Sequence, residues 1–114
     1  MRKIIFLPVL ALAIFLAGST AHAGQQDFIL VNHCGQAITE IYCSATDNWE
    51  ENVLGNTILY DGETFQLTFP ADQTARYWDL KLVYENGQEL YWGGLDLFSI
   101  SQMILDSSGT IHTQ

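Results

Sequence analysis

The chain has 114 residues, of which 4 are Lys or Arg and 13 are Asp or Glu, for a formal charge of −9. Nucleic acid and anionic lipid are bound by neutralising phosphate with clustered Lys and Arg, so this composition disfavours both as partners. A basic protein, a cation or a neutral ligand fits it better.

Residues 1–23 have the layout of an export signal. Arg2 and Lys3 precede an apolar run from Ile4 to Leu16, and Ala21-His22-Ala23 supplies the small residues that a signal peptidase needs. The run is short of the about 20 apolar residues usual for a membrane span. Cleavage after Ala23 removes Arg2 and Lys3 but no acid. Residues 24–114 then keep two basic against 13 acidic residues, a formal −11 over 91 residues. The expectation is a periplasmic or extracellular protein of one monomeric domain, with no membrane contact once the signal has gone.

From Gly24 onward short strands alternate with turn residues. Asp27 to Asn32 reads as a strand, followed by the turn formers Asn32, His33 and Gly35. Ala37 to Ser44 is a second, in which Ile38 and Ile41 sit three apart and hint at a bulge. Residues 45–56 form a polar, acidic loop around Trp49, and Thr57 to Tyr60 has the length of a short strand. "ETFQLTF" places Phe65, Leu67 and Phe69 on one face, and Pro70 ends it. "RYWDLKLVYENGQELYW" is two alternating runs joined by Asn86-Gly87, a dipeptide suited to a two-residue type I′ turn. One or two strands remain within Leu95 to Leu105. No stretch has a helical period, so the fold class is all-β, a single antiparallel β-sandwich or barrel-like domain.

Cys34 and Cys43 are the only cysteines, and an exported chain usually oxidises such a pair. A fully extended strand would hold Cys43 roughly 20 Å beyond the turn at about 3.3 Å per residue. A disulfide requires Cα atoms about 4.4–6.8 Å apart. The expectation is a bond made possible by a bulge, the alternative being two thiols held apart by a straight strand. Zinc on His33, Cys34 and Cys43 lacks a fourth ligand and the usual spacing.

Nucleophilic catalysis by Cys34 with His33 is disfavoured because neighbours on a strand point to opposite faces. The chain has no G-x-S-x-G motif, and few His or Lys for acid–base work, so it is not read as an enzyme. Asp47, Asn48, Glu50 and Glu51 crowd one loop with oxygen ligands of the type calcium prefers, and Asp61, Glu63 and Asp96 could join them. The EF-hand spacing is absent, so calcium is a weak candidate and no other cofactor is expected.

A two-residue turn at Asn86-Gly87 opposes Val83 to Leu90 and Lys81 to Trp92. Trp78, Leu80, Leu82, Tyr84 and Tyr91 then form the core face. Tyr77, Val83, Leu90 and Trp92 share the other face with Asp79 and Lys81. That patch is a candidate partner-binding surface, unless another element covers it or Lys81 lies along the Trp92 indole.

Phe28-x-Leu30-x-Asn32, Gly35-x-x-Ile38, Ile41-Tyr42-x-Ser44, Trp49, Leu54-Gly55, Gly62, Tyr77-Trp78-Asp79-Leu80-Lys81, Gly87 and Leu95-Asp96-Leu97 together resemble a family of small exported bacterial β-sandwich proteins, mostly of unassigned function. The resemblance spans nearly all of residues 24–114 and implies fold and export, but no activity. That family often carries a cysteine near each end of the Tyr-Asp-Leu to Asp-Leu region. Ala75 and Phe98 stand near those places here, so its disulfide has no counterpart. The function expected is an exported binding or interaction module, of the inhibitor or immunity type, for a basic partner. A calcium-stabilised structural module and a small hydrolase are the alternatives.

Overall fold

The computed structural model describes residues 24–46 and 48–114, and the backbone course of residues 5–7. The remainder of the expected export signal lies outside the described residues. The protein is all-β, with two packed sheets. Its strands are β1 (Ile5–Leu7), β2 (Phe28–Asn32), β3 (Ile38–Ser44), β4 (Thr64–Thr68), β5 (Tyr77–Tyr84), β6 (Glu89–Asp96), β7 (Gln102–Leu105) and β8 (Ile111–Thr113). One sheet runs β1-β4-β2-β7-β8 and the other β3-β5-β6. Among the described residues the only helical element is a 3₁₀ turn, Leu97–Ser99, and no helix is long and apolar enough to cross a membrane.

Alternation of side chains builds the core. Phe28 and Leu30 of β2, Phe65 and Leu67 of β4, and Met103 and Leu105 of β7 face Ile41 and Cys43 of β3 and Trp78, Leu80, Leu82 and Tyr84 of β5. Phe69, just past β4, meets the Trp78 ring edge-on at 5.0 Å. Leu54, Leu59 and Leu97 close the sandwich from the connections. One pairing departs from a purely antiparallel sandwich. β2 and β7 run parallel, with Leu30 beside Met103 and Asn32 beside Leu105. Short apolar runs carry no mark of strand direction, so sequence periodicity is blind to this pair.

The turn after β2 is organised by Asn32, which is fully buried. Its amide donates to the carbonyls of Gln36 and Leu59, and its Oδ1 accepts from the Cys34 N–H. The expected strand over residues 57–60 reduces to a single bridge between Leu59 and Ile38. The expected bulge in β3 is present, between Ile38 and Glu40.

The cysteines are not bonded. Cys34 and Cys43 are both buried free thiols. Cys34 sits in the turn before β3, where its Sγ donates to the Gln36 carbonyl at 3.2 Å. Cys43 lies near the far end of β3, opposite Leu80. The bulge shifts register without folding the strand back, so the extended-strand geometry prevails over the expected disulfide.

Candidate functional site

The β5–β6 hairpin sets which residues reach the surface. A type I′ turn needs positive φ at both Asn86 and Gly87, and only Gly87 has it, at 90°. The loop therefore takes three residues. Tyr84 N–H donates to the Gln88 carbonyl and Gly87 N–H to the Tyr84 carbonyl, each at 2.9 Å. Register moves by one residue from the two-residue expectation, so Lys81 faces Tyr91, Leu80 faces Trp92 and Leu82 faces Leu90. A one-residue slip exchanges the two faces of β6.

This corrects the expected patch. Leu90 and Trp92 turn inward, half-buried against the core cluster. Val83 is buried at 9% exposure, and Tyr77 alone of the four is well exposed, at 58%. Tyr91, expected in the core, stands outward at 59% exposure. A second irregularity returns β6 to its earlier phase. Gly93 and Gly94 bulge opposite Asp79, whose Oδ1 accepts the Gly94 N–H at 2.9 Å, so that Leu95 faces Trp78.

On the outer face, Tyr42 of β3, Lys81 of β5 and Tyr91 of β6 form one row across the sheet. The loop after β3 lays Trp49 over that row. Its path is held by local hydroxyl bonds, Ser44 Oγ to the Thr46 carbonyl at 2.6 Å and Asn48 N–H to Thr46 Oγ1 at 3.1 Å. Asn52 then anchors it. Asn52 Oδ1 accepts the N–H groups of Ile41 and Leu54, while its amide donates to the carbonyls of Thr39 and Gly55. Backbone groups on the open edge of β3, beside its bulge, are thereby satisfied by the loop.

The result is a cation ringed by aromatic groups. The Lys81 ammonium stands 4.8 Å from the Tyr42 ring centroid and 5.3 Å from that of Trp49. Trp49 meets Tyr42 edge-on at 6.4 Å and Tyr91 edge-on at 5.9 Å. Lys81 thus lies along the indole of Trp49, not that of Trp92. The Tyr42 hydroxyl donates to Glu40 at 2.6 Å. That bond, then burial and the charges of Glu40 and Glu89, push the phenol up to about 12. Tyr42 is therefore a neutral donor at physiological pH.

At the end of the same sheet the other cation is sheathed in the same way. The Arg76 guanidinium lies 5.4 Å from the Tyr77 ring centroid and 5.6 Å from that of Phe98. It donates two 2.8 Å bonds to Asp96. These, helped by Ser99 and the Phe98 N–H, hold the Asp96 carboxyl down at about 2. Arg76 and Lys81 are the only basic residues past residue 3, so both are engaged by aromatic rings.

Of the calcium candidates, Asn48, Glu50 and Glu51 are exposed, and Asp47 lies outside the described residues. Among the described residues no three His, Cys, Asp or Glu groups come together as a metal site. The zinc candidates are likewise dispersed, with His33 exposed and both cysteines buried. Sequence reasoning missed the Tyr42–Trp49–Tyr91 cluster. One signal was available, a large aromatic residue in the middle of an otherwise polar loop, which has to cover something apolar. No family model matches the chain, and no curated protein or solved structure matches it.

Proposed function

We propose that this chain is an exported binding module that engages a basic protein partner through the outer face of the β3-β5-β6 sheet, without catalysis. The observation that carries the reading is the exposed row Tyr42–Lys81–Tyr91 capped by Trp49, bordered by Glu40 and Glu89. Tyr, Trp and cations held against rings are the groups that dominate interface energetics. Burial of Lys81 among rings leaves the surrounding carboxylates to set the sign of the field, which attracts a cationic partner. The leader-like residues 1–23 and the motif resemblance to small exported β-sandwich proteins support export.

The test is capture of partners from periplasmic and extracellular fractions by the chain beginning at Gly24, followed by calorimetric titration of the purified partner. The expected partner has a basic surface. Trp49→Ala and Tyr91→Ala should each weaken binding by about 2 kcal/mol or more, the hot-spot scale, while Tyr60→Ala, on a loop away from the sheet face, should leave it unchanged. A partner that binds both face variants as tightly as the parent chain would place the interface elsewhere, and an acidic partner would overturn the charge argument.

A further inference from the structure

The surroundings of Gly24 bring together acceptors that the uncleaved chain leaves underused. Gln26 is 1% exposed. Its side-chain amide is oriented by two 2.9 Å bonds, from Nε2 to the carbonyls of Gln73 and Ala75. The opposite end of the amide, Oε1, is buried without a hydrogen-bond partner, an arrangement native proteins largely avoid. Oε1 is aimed at Gly24. A β-carbon on Gly24 would fall 2.7 Å from Gln26 Oε1, 3.1 Å from Asp27 Oδ1 and 3.1 Å from the Phe69 carbonyl oxygen. Three oxygen acceptors therefore converge on a residue that has to lack a side chain. The Asp27 carboxylate is fixed in place, Oδ1 accepting the Phe69 N–H at 2.8 Å and Oδ2 accepting the Gly24 N–H at 3.3 Å.

We infer that these groups form a preformed receptor for the α-ammonium that cleavage between Ala23 and Gly24 would create at Gly24. The inference rests on the export reading for the existence of that cleavage. Within an intact chain the Gly24 nitrogen is a neutral amide with one proton. Hydrolysis adds the hydroxyl of water to the Ala23 carbonyl carbon and the proton of water to the Gly24 nitrogen. The new carboxylic acid then gives up its proton and the new amine takes one, leaving a carboxylate on the departing leader and a three-donor cation on Gly24. An α-amine titrates near pH 8, so it is charged at neutral pH. Asp27 supplies the opposite charge, and a charge-assisted bond is roughly twice as strong as a neutral one. Gln26 Oε1 gains the donor it lacks. Processing thus pins the start of β2 to the segment after β4, and the folded chain is stabilised by its own maturation.

The test uses four chains, beginning at Gly24 or at Ala23, each with Asp27 or Asp27→Asn, and compares thermal midpoints at neutral pH. All described core residues lie from Phe28 onward, so each chain retains the described core. An added Ala23 should lower the midpoint when Asp27 is present and lose most of that effect with Asp27→Asn. An extension effect of equal size in both backgrounds overturns the receptor. A second measurement guards against poor folding of Asp27→Asn. Acylation of the Gly24 amine near neutral pH should be about tenfold or more slower in the folded chain than in denaturant, the equivalent of one pKa unit, and equal rates overturn the proposal. Sequencing of the exported chain separates the two ideas. A first residue other than Gly24 sinks the cleavage reading, whereas absent coupling in chains that do begin at Gly24 sinks the receptor alone.

Discussion

Trp78, Trp92 and Tyr91 belong to one hairpin and have three different surroundings. Trp78 is 5% exposed, stacked edge-on against Phe69, with its indole N–H donating to the Ala75 carbonyl. Removing it leaves a cavity that neighbours on a sheet cannot collapse into, so Trp78→Ala should destabilise by about 3–5 kcal/mol. Trp92 is half-buried on the same side, and Trp92→Ala should cost roughly half as much in proportion to the apolar area it hides. Tyr91→Ala should cost about 1 kcal/mol, the scale of a lost aromatic pair on the surface. Urea midpoints read all three, and a Tyr91→Ala loss as large as that of Trp92→Ala would contradict the outward placement of Tyr91. The thiols make a second residue-scale case. A thiol reagent should find none accessible in the native chain and two in denaturant without reductant. Burial pushes the Cys43 thiol from 9.0 up to about 12. A folded-state value above the unfolded one means stability is complete below pH 9.0 and declines as pH rises toward about 12. Tyr42 and Tyr84 shift in the same direction, Tyr84 through burial first and then the neighbouring Cys34 thiol. Alkaline denaturation should therefore begin near the ordinary cysteine range, and Cys43→Ala should delay its onset.

At the scale of elements, strand alternation was legible wherever one face is buried and the other wet. Phe65, Leu67 and Phe69 announce β4, and the β3 bulge follows from the spacing of Ile38 and Ile41. What sequence could not resolve was phase. Asn86-Gly87 fits both a two-residue turn and a three-residue loop, and the choice rests on φ at Asn86, which stays negative. With one residue of slip, the aromatic residues of β6 changed sides, and the binding face moved from Trp92 to Tyr91. The bulge at Gly93 and Gly94 then restores the phase at Leu95, which no local pattern announces. Trp49 reached the site through Asn52, a tertiary contact invisible to periodicity. The turn between β7 and β8 is a simpler case. Asp106 Oδ1 accepts from Ser108 N–H, Ser108 Oγ and Thr110 N–H, and its Oδ2 lies 2.7 Å from His112 Nε2. The Ser108 hydroxyl first, and then His112, hold its carboxyl well below the usual carboxylate range. A depressed folded-state value means the contribution is present above the ordinary value of 3.8 and is lost as pH falls below it. Hydrogen exchange should show β8 amides losing protection in acid before those of β5. Asp106→Ala should reproduce that selective loss at neutral pH, and uniform loss across both sheets would remove the turn from control of the edge.

For the molecule as a whole, the two cations and the many acids pull in opposite directions on stability and on recognition. Arg76 and Lys81 are already committed to rings and, for Arg76, to Asp96. The other carboxylates of the chain, 13 acids in all, therefore repel one another across a small surface with little left to neutralise them. Such repulsion acts over the Debye length, about 10 Å at 0.1 M salt and about 3 Å at 1 M. Raising salt should accordingly stabilise the fold, and a gain of about 1 kcal/mol would lift the melting midpoint by about 4–8 °C in a domain of this size. The same salt should weaken capture of a basic partner, chiefly by slowing association, because the field that steers the encounter is the one being screened. Stability and affinity should thus move in opposite directions along one salt series, read by thermal melts and by association rates on the same samples. A midpoint that falls with salt would put the exposed Arg76–Asp96 pair in control of stability instead of repulsion. An association rate indifferent to salt would leave the aromatic row as a docking face but remove charge from the choice of partner.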